Sequence, residues 1–128
     1  MKQHDLPIKV IVLNNNGYLS IRETQDQFLE GRHLGSAPAG LLTLPSIQAV
    51  TESYGLPYTL IRESGELSEV LQAYLLTDGP AVCEVLVRDD QKVIPRLGFA
   101  LQPDGSYRTN PLSLMDPPRD GLPTLEYD

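Results

Sequence analysis

The chain has no tryptophan, a single cysteine and only two histidines. One cysteine excludes an internal disulfide. Cys83 lies in an apolar stretch and reads as a small buried core residue. A chain without a disulfide framework is expected in the cytoplasm. His4 and His33 have no cysteine beside them and no ligand spacing, which argues against a zinc site. No serine or cysteine nucleophile motif is present. Basic residues are scarce, 10 Lys and Arg against 17 Asp and Glu for a net charge of −7. That excludes a nucleic acid partner gripped by its phosphates, which needs a basic face. No apolar run approaches the length of a membrane span, and no apolar signal region follows the first five residues.

What is present suits one soluble globular domain: 128 residues, 41% hydrophobic and 21% charged. The most informative stretch is Val10-Ile11-Val12-Leu13-Asn14-Asn15-Asn16-Gly17-Tyr18. A strand-like apolar run ends in three asparagines and a glycine. Three adjacent carboxamides gain nothing in a core, where each needs several partners. They suit the carboxyl end of a strand in an open parallel sheet, where ligands bind. Gly17 would let the backbone bend tightly and approach a ligand. The competing reading is a hairpin, since Asn-Gly between apolar runs is its strongest short signal and Tyr18-Leu19-Ser20-Ile21 alternates. The unbroken apolarity of residues 8–13 favours a strand buried on both faces. The polar run Arg22-Glu23-Thr24-Gln25-Asp26-Gln27 does not alternate. On pattern alone the two readings stand level.

Residues 8–13 read as a strand, 20–29 as a helix ended by Gly31, and 31–43 as a glycine-rich loop of the length that often carries function. Pro45 suits the first turn of a helix that Gly55 stops, with Thr43 or Leu44 ahead of it. Residues 58–61 and 81–87 read as strands, the latter interrupted only by Glu84. Between them Leu67, Val70, Leu71, Tyr74 and Leu75 form one helical stripe. Ser64 is the expected N-cap of that helix, and Asp78-Gly79-Pro80 its end. Arg22-Glu23 and Arg62-Glu63 read as surface pairs. Strands alternating with helices imply parallel pairing through right-handed crossovers. The expected fold is a three-layer α/β/α domain with a mostly parallel sheet over residues 1–90. A proline-rich, irregular arm over residues 91–128 follows, holding six of the eleven prolines and a turn at Pro103-Asp104-Gly105. Residues 120–128 are expected to lack order.

Residues 6–18 resemble the second half of the thiamine-diphosphate binding motif, which opens with Gly-Asp-Gly and closes with Asn-Asn. The closest pattern is that of acetolactate synthase-like enzymes. The likeness continues in order through Leu44-Pro45, Ser53-Tyr54-Gly55, the run from Asp78 to Val85, and Pro103-Asp104-Gly105-Ser106. The resemblance implies thiamine diphosphate and Mg²⁺ as cofactors. It implies Asn15, through its side chain, and Gly17, through its carbonyl, as metal ligands; both are hard oxygens of the kind magnesium takes. Asn14, Asn16 and Tyr18 would shape the loop around the diphosphate. It also puts the C-terminal arm of the relatives near the active-site entrance.

Two departures from the family pattern stand out. The two halves of the motif lie about 30 residues apart in a βαβ-type unit, and only 13 residues precede Asn14. The aspartate of Gly-Asp-Gly is therefore expected outside this chain, as is the glutamate that activates the cofactor's aminopyrimidine ring. The tryptophan usual in biosynthetic acetolactate synthases just after the asparagines is replaced by the neighbourhood of Arg22-Glu23-Thr24. The resemblance thus implies a fragment or truncated form of an enzyme acting on 2-oxoacids, inactive alone. The alternative is a non-catalytic binding or interaction module of flavodoxin-like fold. The missing upstream half would leave a sheet edge uncovered, so self-association as a homodimer is expected.

Overall fold

The computed structural model describes residues 1–4 and 6–117. Residues 120–128, expected to lack order, lie outside the described residues. The chain divides into two compact units, Met1–Gln91 and Lys92–Asp128.

The first unit is built on three parallel strands, β1 (Lys9–Asn14), β2 (Tyr58–Ile61) and β3 (Ala81–Leu86), in the order β1-β3-β2. Three helices connect them: α1 (Leu19–Phe28), α2 (Ile47–Ser53) and α3 (Leu67–Leu75). The chain steps from β1 across to β2 and then back to β3. Right-handed crossovers in opposite directions put α1 and α2 on one face of the sheet and α3 on the other. The hairpin reading is excluded: among the described residues β1 pairs only in parallel, with β3, and the segment after Tyr18 is helical. No helix among the described residues is long and apolar enough to cross a membrane.

Register sorts the side chains. Lys9 lies opposite Ala81, Ile11 opposite Cys83, Asn14 opposite Leu86, Tyr58 opposite Val82 and Ile61 opposite Val85. Side chains alternate along a strand. Ile61, Ala81, Cys83 and Val85 therefore share the α3 face, where Val70, Leu71 and Tyr74 close the core. Cys83 is fully buried, as its apolar setting implied. The Tyr74 hydroxyl lies 2.9 Å from the carbonyl oxygens of both Val10 and Ala81, which ties α3 to two strands. Burial raises the Tyr74 pKa, so the ring stays a neutral donor. The Lys9 ammonium donates to the Thr77 and Gly79 carbonyls, each at 2.6 Å, just past the end of α3. A cation there complements the helix dipole.

Three details differ from expectation. β1 is an edge strand, and Ile11 and Leu13 remain 45% and 68% exposed rather than buried on both faces. α2 begins after Ser46, whose hydroxyl accepts from the Ala49 amide, two residues later than the proline pattern implied. Ser64 does not cap α3; it opens a short 3-10 turn, Ser64–Glu66. That turn is closed by a capping box: the Glu63 side chain accepts the Glu66 amide, and Glu66 Oε1 accepts the amides of Glu63 and Arg62.

The second unit, by itself, is less irregular than its prolines suggest. β4 (Arg96–Leu97) pairs antiparallel with β7 (Met115–Asp116), and β5 (Phe99–Leu101) with β6 (Tyr107–Thr109). The β5–β6 turn is the expected one: Gly105 takes φ +82, and Asp104 accepts from the Ser106 amide and hydroxyl.

Tyr74→Phe removes the one donor that the two strand carbonyls share. It is expected to lower unfolding free energy by about 1 kcal/mol, read by urea denaturation, with the fold retained.

Candidate functional site

The asparagine loop leaves the carboxyl end of β1, at the point where the chain turns into α1. Asn14 is the last strand residue and is half-buried, Asn15 and Gly17 are half-buried, and Asn16 and Tyr18 are exposed. The three asparagines have different tasks. The Asn14 carboxamide is engaged at both ends: its oxygen accepts the Asn16 amide at 2.8 Å, and its nitrogen donates to Glu84 at 2.5 Å. The first of these closes a side-chain turn that holds Asn16 at φ +54. Asn15 is held through its backbone carbonyl, which accepts from the Arg22 guanidinium at 3.3 Å. Its carboxamide has no partner among the described residues.

Gly17 was expected to let the backbone bend and come close to a ligand, and a close approach is what the structure shows there. The positive φ falls on Asn16, and Gly17 is needed for close packing against this chain's own backbone. A Cβ at Gly17 would stand 2.4 Å from the Ser36 carbonyl oxygen. That same carbonyl accepts the Tyr18 amide at 2.9 Å. The glycine-rich loop thus returns along α1 and seals the turn. Ser36 is fully buried and donates to Gln25, whose amide nitrogen donates to the Leu34 carbonyl.

Arg22, read as part of a surface pair, and Gln25, noted only within a polar run, are buried on the inner face of α1. Helical spacing places them side by side, one under the asparagine turn and one under Ser36. The charged head of Arg22 is spent on holding the loop. Its Nε has no hydrogen-bond partner among the described residues.

The central residue of the site escaped the sequence reading. Glu84 lies in β3 at 7% exposure. It accepts from Asn14 on β1 and from the Tyr58 hydroxyl on β2, each at 2.5 Å. Burial, and then the bond to Glu84, push the Tyr58 pKa up to about 12, so the phenol keeps its proton and donates. The signal was present in the sequence as the lone charge in an otherwise apolar strand. Such a residue is costly unless bonded.

Among the described residues no group of three or more His, Cys, Asp or Glu side chains could hold a metal ion. His33 instead bonds Asp26 at 2.7 Å near the end of α1. What the asparagine loop offers is neutral oxygen, the Asn15 side chain and the Gly17 carbonyl, on a firmly held turn at a strand end.

Residues 1–85 match the family described as thiamine pyrophosphate enzyme, C-terminal TPP binding domain. The chain belongs to this family. The matched span includes the asparagine loop, Arg22, Ser36, Tyr58 and Glu84. Over 95 residues the chain is 25% identical to the mitochondrial acetolactate synthase of Schizosaccharomyces pombe, covering 74% of this chain and 14% of that protein. Against the probable chloroplastic acetolactate synthase 2 of Oryza sativa subsp. japonica it is 25% identical over 103 residues, 76% of this chain and 16% of the relative. The mitochondrial acetolactate synthase catalytic subunit of Aspergillus candidus is 29% identical over 93 residues, with 73% and 13% covered. The chain spans 13–16% of the length of these curated relatives.

Gly17→Ala is expected to cost about 1–3 kcal/mol, the usual range for overpacking, because the clash is with backbone. Gly65→Ala, with open space around it and no positive φ, serves as the control and should be nearly neutral. Thermal denaturation of the two variants side by side reads the difference.

Proposed function

We propose that this domain supplies one half of a magnesium–diphosphate site in a thiamine-diphosphate-dependent enzyme acting on 2-oxoacids, by decarboxylation and carboligation of the acetolactate synthase kind. The observation that carries the reading is the division of labour in the loop. Asn14 is locked into the structure, while the Asn15 carboxamide beside it, at the mouth of a parallel strand, is bonded to none of the described residues. A loop built only for a turn would gain nothing from the second carboxamide. Asn15 Oδ1 and the Gly17 carbonyl would be the metal's protein ligands, and Asn16 and Tyr18 would border the diphosphate. The fit is chemical: magnesium takes hard oxygens in an octahedron and keeps several of its waters.

Thiamine diphosphate, when bound, supplies the carbanion chemistry. This chain's residues would position it and nothing more. Among the described residues, the asparagine loop offers the metal no carboxylate ligand and the aminopyrimidine ring no activating acid. Rate enhancement depends on orientation and preorganised electrostatics, so half a site is silent. The reading therefore includes a remainder of the enzyme that brings those carboxylates.

Titration calorimetry of the full chain with magnesium and thiamine diphosphate should give weak binding that Asn15→Ala abolishes. Carbon dioxide and acetolactate release from pyruvate should stay at the free-cofactor background. Turnover that vanishes in Asn15→Ala would make the chain a complete enzyme and overturn the half-site reading.

A second copy of the chain also belongs to this reading. β1 is an edge strand with exposed Ile11 and Leu13, and open edges recruit other strands. Light scattering should give a dimer whose dissociation is promoted by Leu13→Lys; a strict monomer at high concentration would refute it.

A further inference from the structure

We infer that Glu84 is a positioning residue for the metal–diphosphate loop: its carboxylate selects the one orientation of the Asn14 carboxamide that closes the turn carrying Asn15 and Gly17. The inference rests on the proposed half-site for its functional consequence, though its geometry stands without it.

The chain of bonds runs across all three strands. The Tyr58 hydroxyl donates to one oxygen of Glu84, and the Asn14 amide nitrogen donates to the other. A carboxamide can present either end. With an acceptor fixed on one side, its nitrogen is committed there and its oxygen must face the opposite way. That oxygen then receives the Asn16 amide. Without Glu84 the Asn14 group is free to flip, and a flipped group would set its NH₂ against the Asn16 N–H. The turn would open, and the free Asn15 carboxamide would lose its fixed base. Partners one shell behind a metal ligand set its affinity in this way.

The alternatives for Glu84 are weak. Its partners among the described residues are neutral donors, Asn14 and Tyr58, so it does not serve as half of an ion pair there. A leucine would pack in a central strand at lower cost than a buried carboxylate. The carboxylate is explained by what it orients.

The test exchanges donor and acceptor. In the labelled full chain, Asn14→Asp alone sets two carboxylates against each other. It should speed hydrogen exchange of the Asn16 amide at least about tenfold. Combining it with Glu84→Gln reverses the bond. The new carboxamide at position 84 can donate to the new carboxylate at position 14, whose other oxygen still accepts the Asn16 amide. Protection should return to near the wild-type level. Glu84→Gln alone keeps an acceptor for Asn14 and should be mild. Glu84→Leu should open the turn and weaken magnesium–thiamine-diphosphate binding by about 10–100-fold, with the amides of α3 still protected. Asn16 protection unchanged in Asn14→Asp, or unrestored in the double variant, overturns the inference. If Glu84→Leu does not fold, the exchange pair decides alone. Restored protection with no cofactor binding by wild type would leave the positioning role intact and overturn the proposed function instead.

Discussion

A carboxylate buried in the central strand is the constraint on which the sheet and its loop both depend. Removing Glu84 from water is tolerable only if donors meet it, and the two donors come from the flanking strands. They can do so because Asn14, Glu84 and Tyr58 project from the same face. A one-residue slip of β1 would send Asn14 to the α3 face and leave Glu84 without its first partner. Apolar side chains alone would resist that slip poorly. Val10, Ile11, Val12 and Leu13 are nearly interchangeable, and Ile11 and Leu13 are exposed even in the observed register. Hydrophobicity makes β1 a strand, but the polar bridge fixes which strand position meets which.

The same bridge converts sheet order into loop order. The turn after β1 is held from below by Glu84 through Asn14. Arg22 holds it from the helix through the Asn15 carbonyl, and Ser36 from the returning loop through the Tyr18 amide. Each contact falls on backbone or on Asn14. The groups left over are those a hard cation uses. Rigidity of this kind matters because a ligand site held to fractions of an ångström needs supporting residues whose own rotamers are fixed. Glycine at position 17 belongs to the same logic, since the close approach of two backbones leaves no room for a side chain.

Elements whose physics is local were legible in the sequence. The α3 stripe, the β2 and β3 runs, the stop at Gly55 and the turn around Gly105 all emerged where periodicity or turn chemistry placed them. The asparagine loop was legible as a strand-end feature, with the hairpin excluded only by pairing to a distant strand. What escaped were properties set by tertiary partners. Arg22 and Gln25 look like any solvated helix face until Ser36 and the asparagine turn are folded against them. Glu84 was visible as an interruption, but its partners lie 26 and 70 residues away. The strands of the second unit are two or three residues long, too short for a period of two to register. At Gly17 a close backbone approach was legible, but that the returning Ser36 carbonyl is what comes close was not, because Ser36 lies 19 residues on.

The donor set also explains why this domain reads as part of a larger site. Two neutral oxygens polarise toward a divalent cation but do not neutralise it, and magnesium surrenders its waters reluctantly. The chain's net charge of −7 does not help at short range. The one carboxylate bonded into this loop is already committed to Asn14 and Tyr58, and turning it toward a cation would undo the turn it supports. On the proposed reading, charge for the metal would arrive from outside the loop, through the diphosphate itself and a carboxylate on another segment. An anchor that binds only when those arrive loses little by being neutral. On that reading, neutrality would keep the loop from capturing free cations and reserve tight binding for the assembled site.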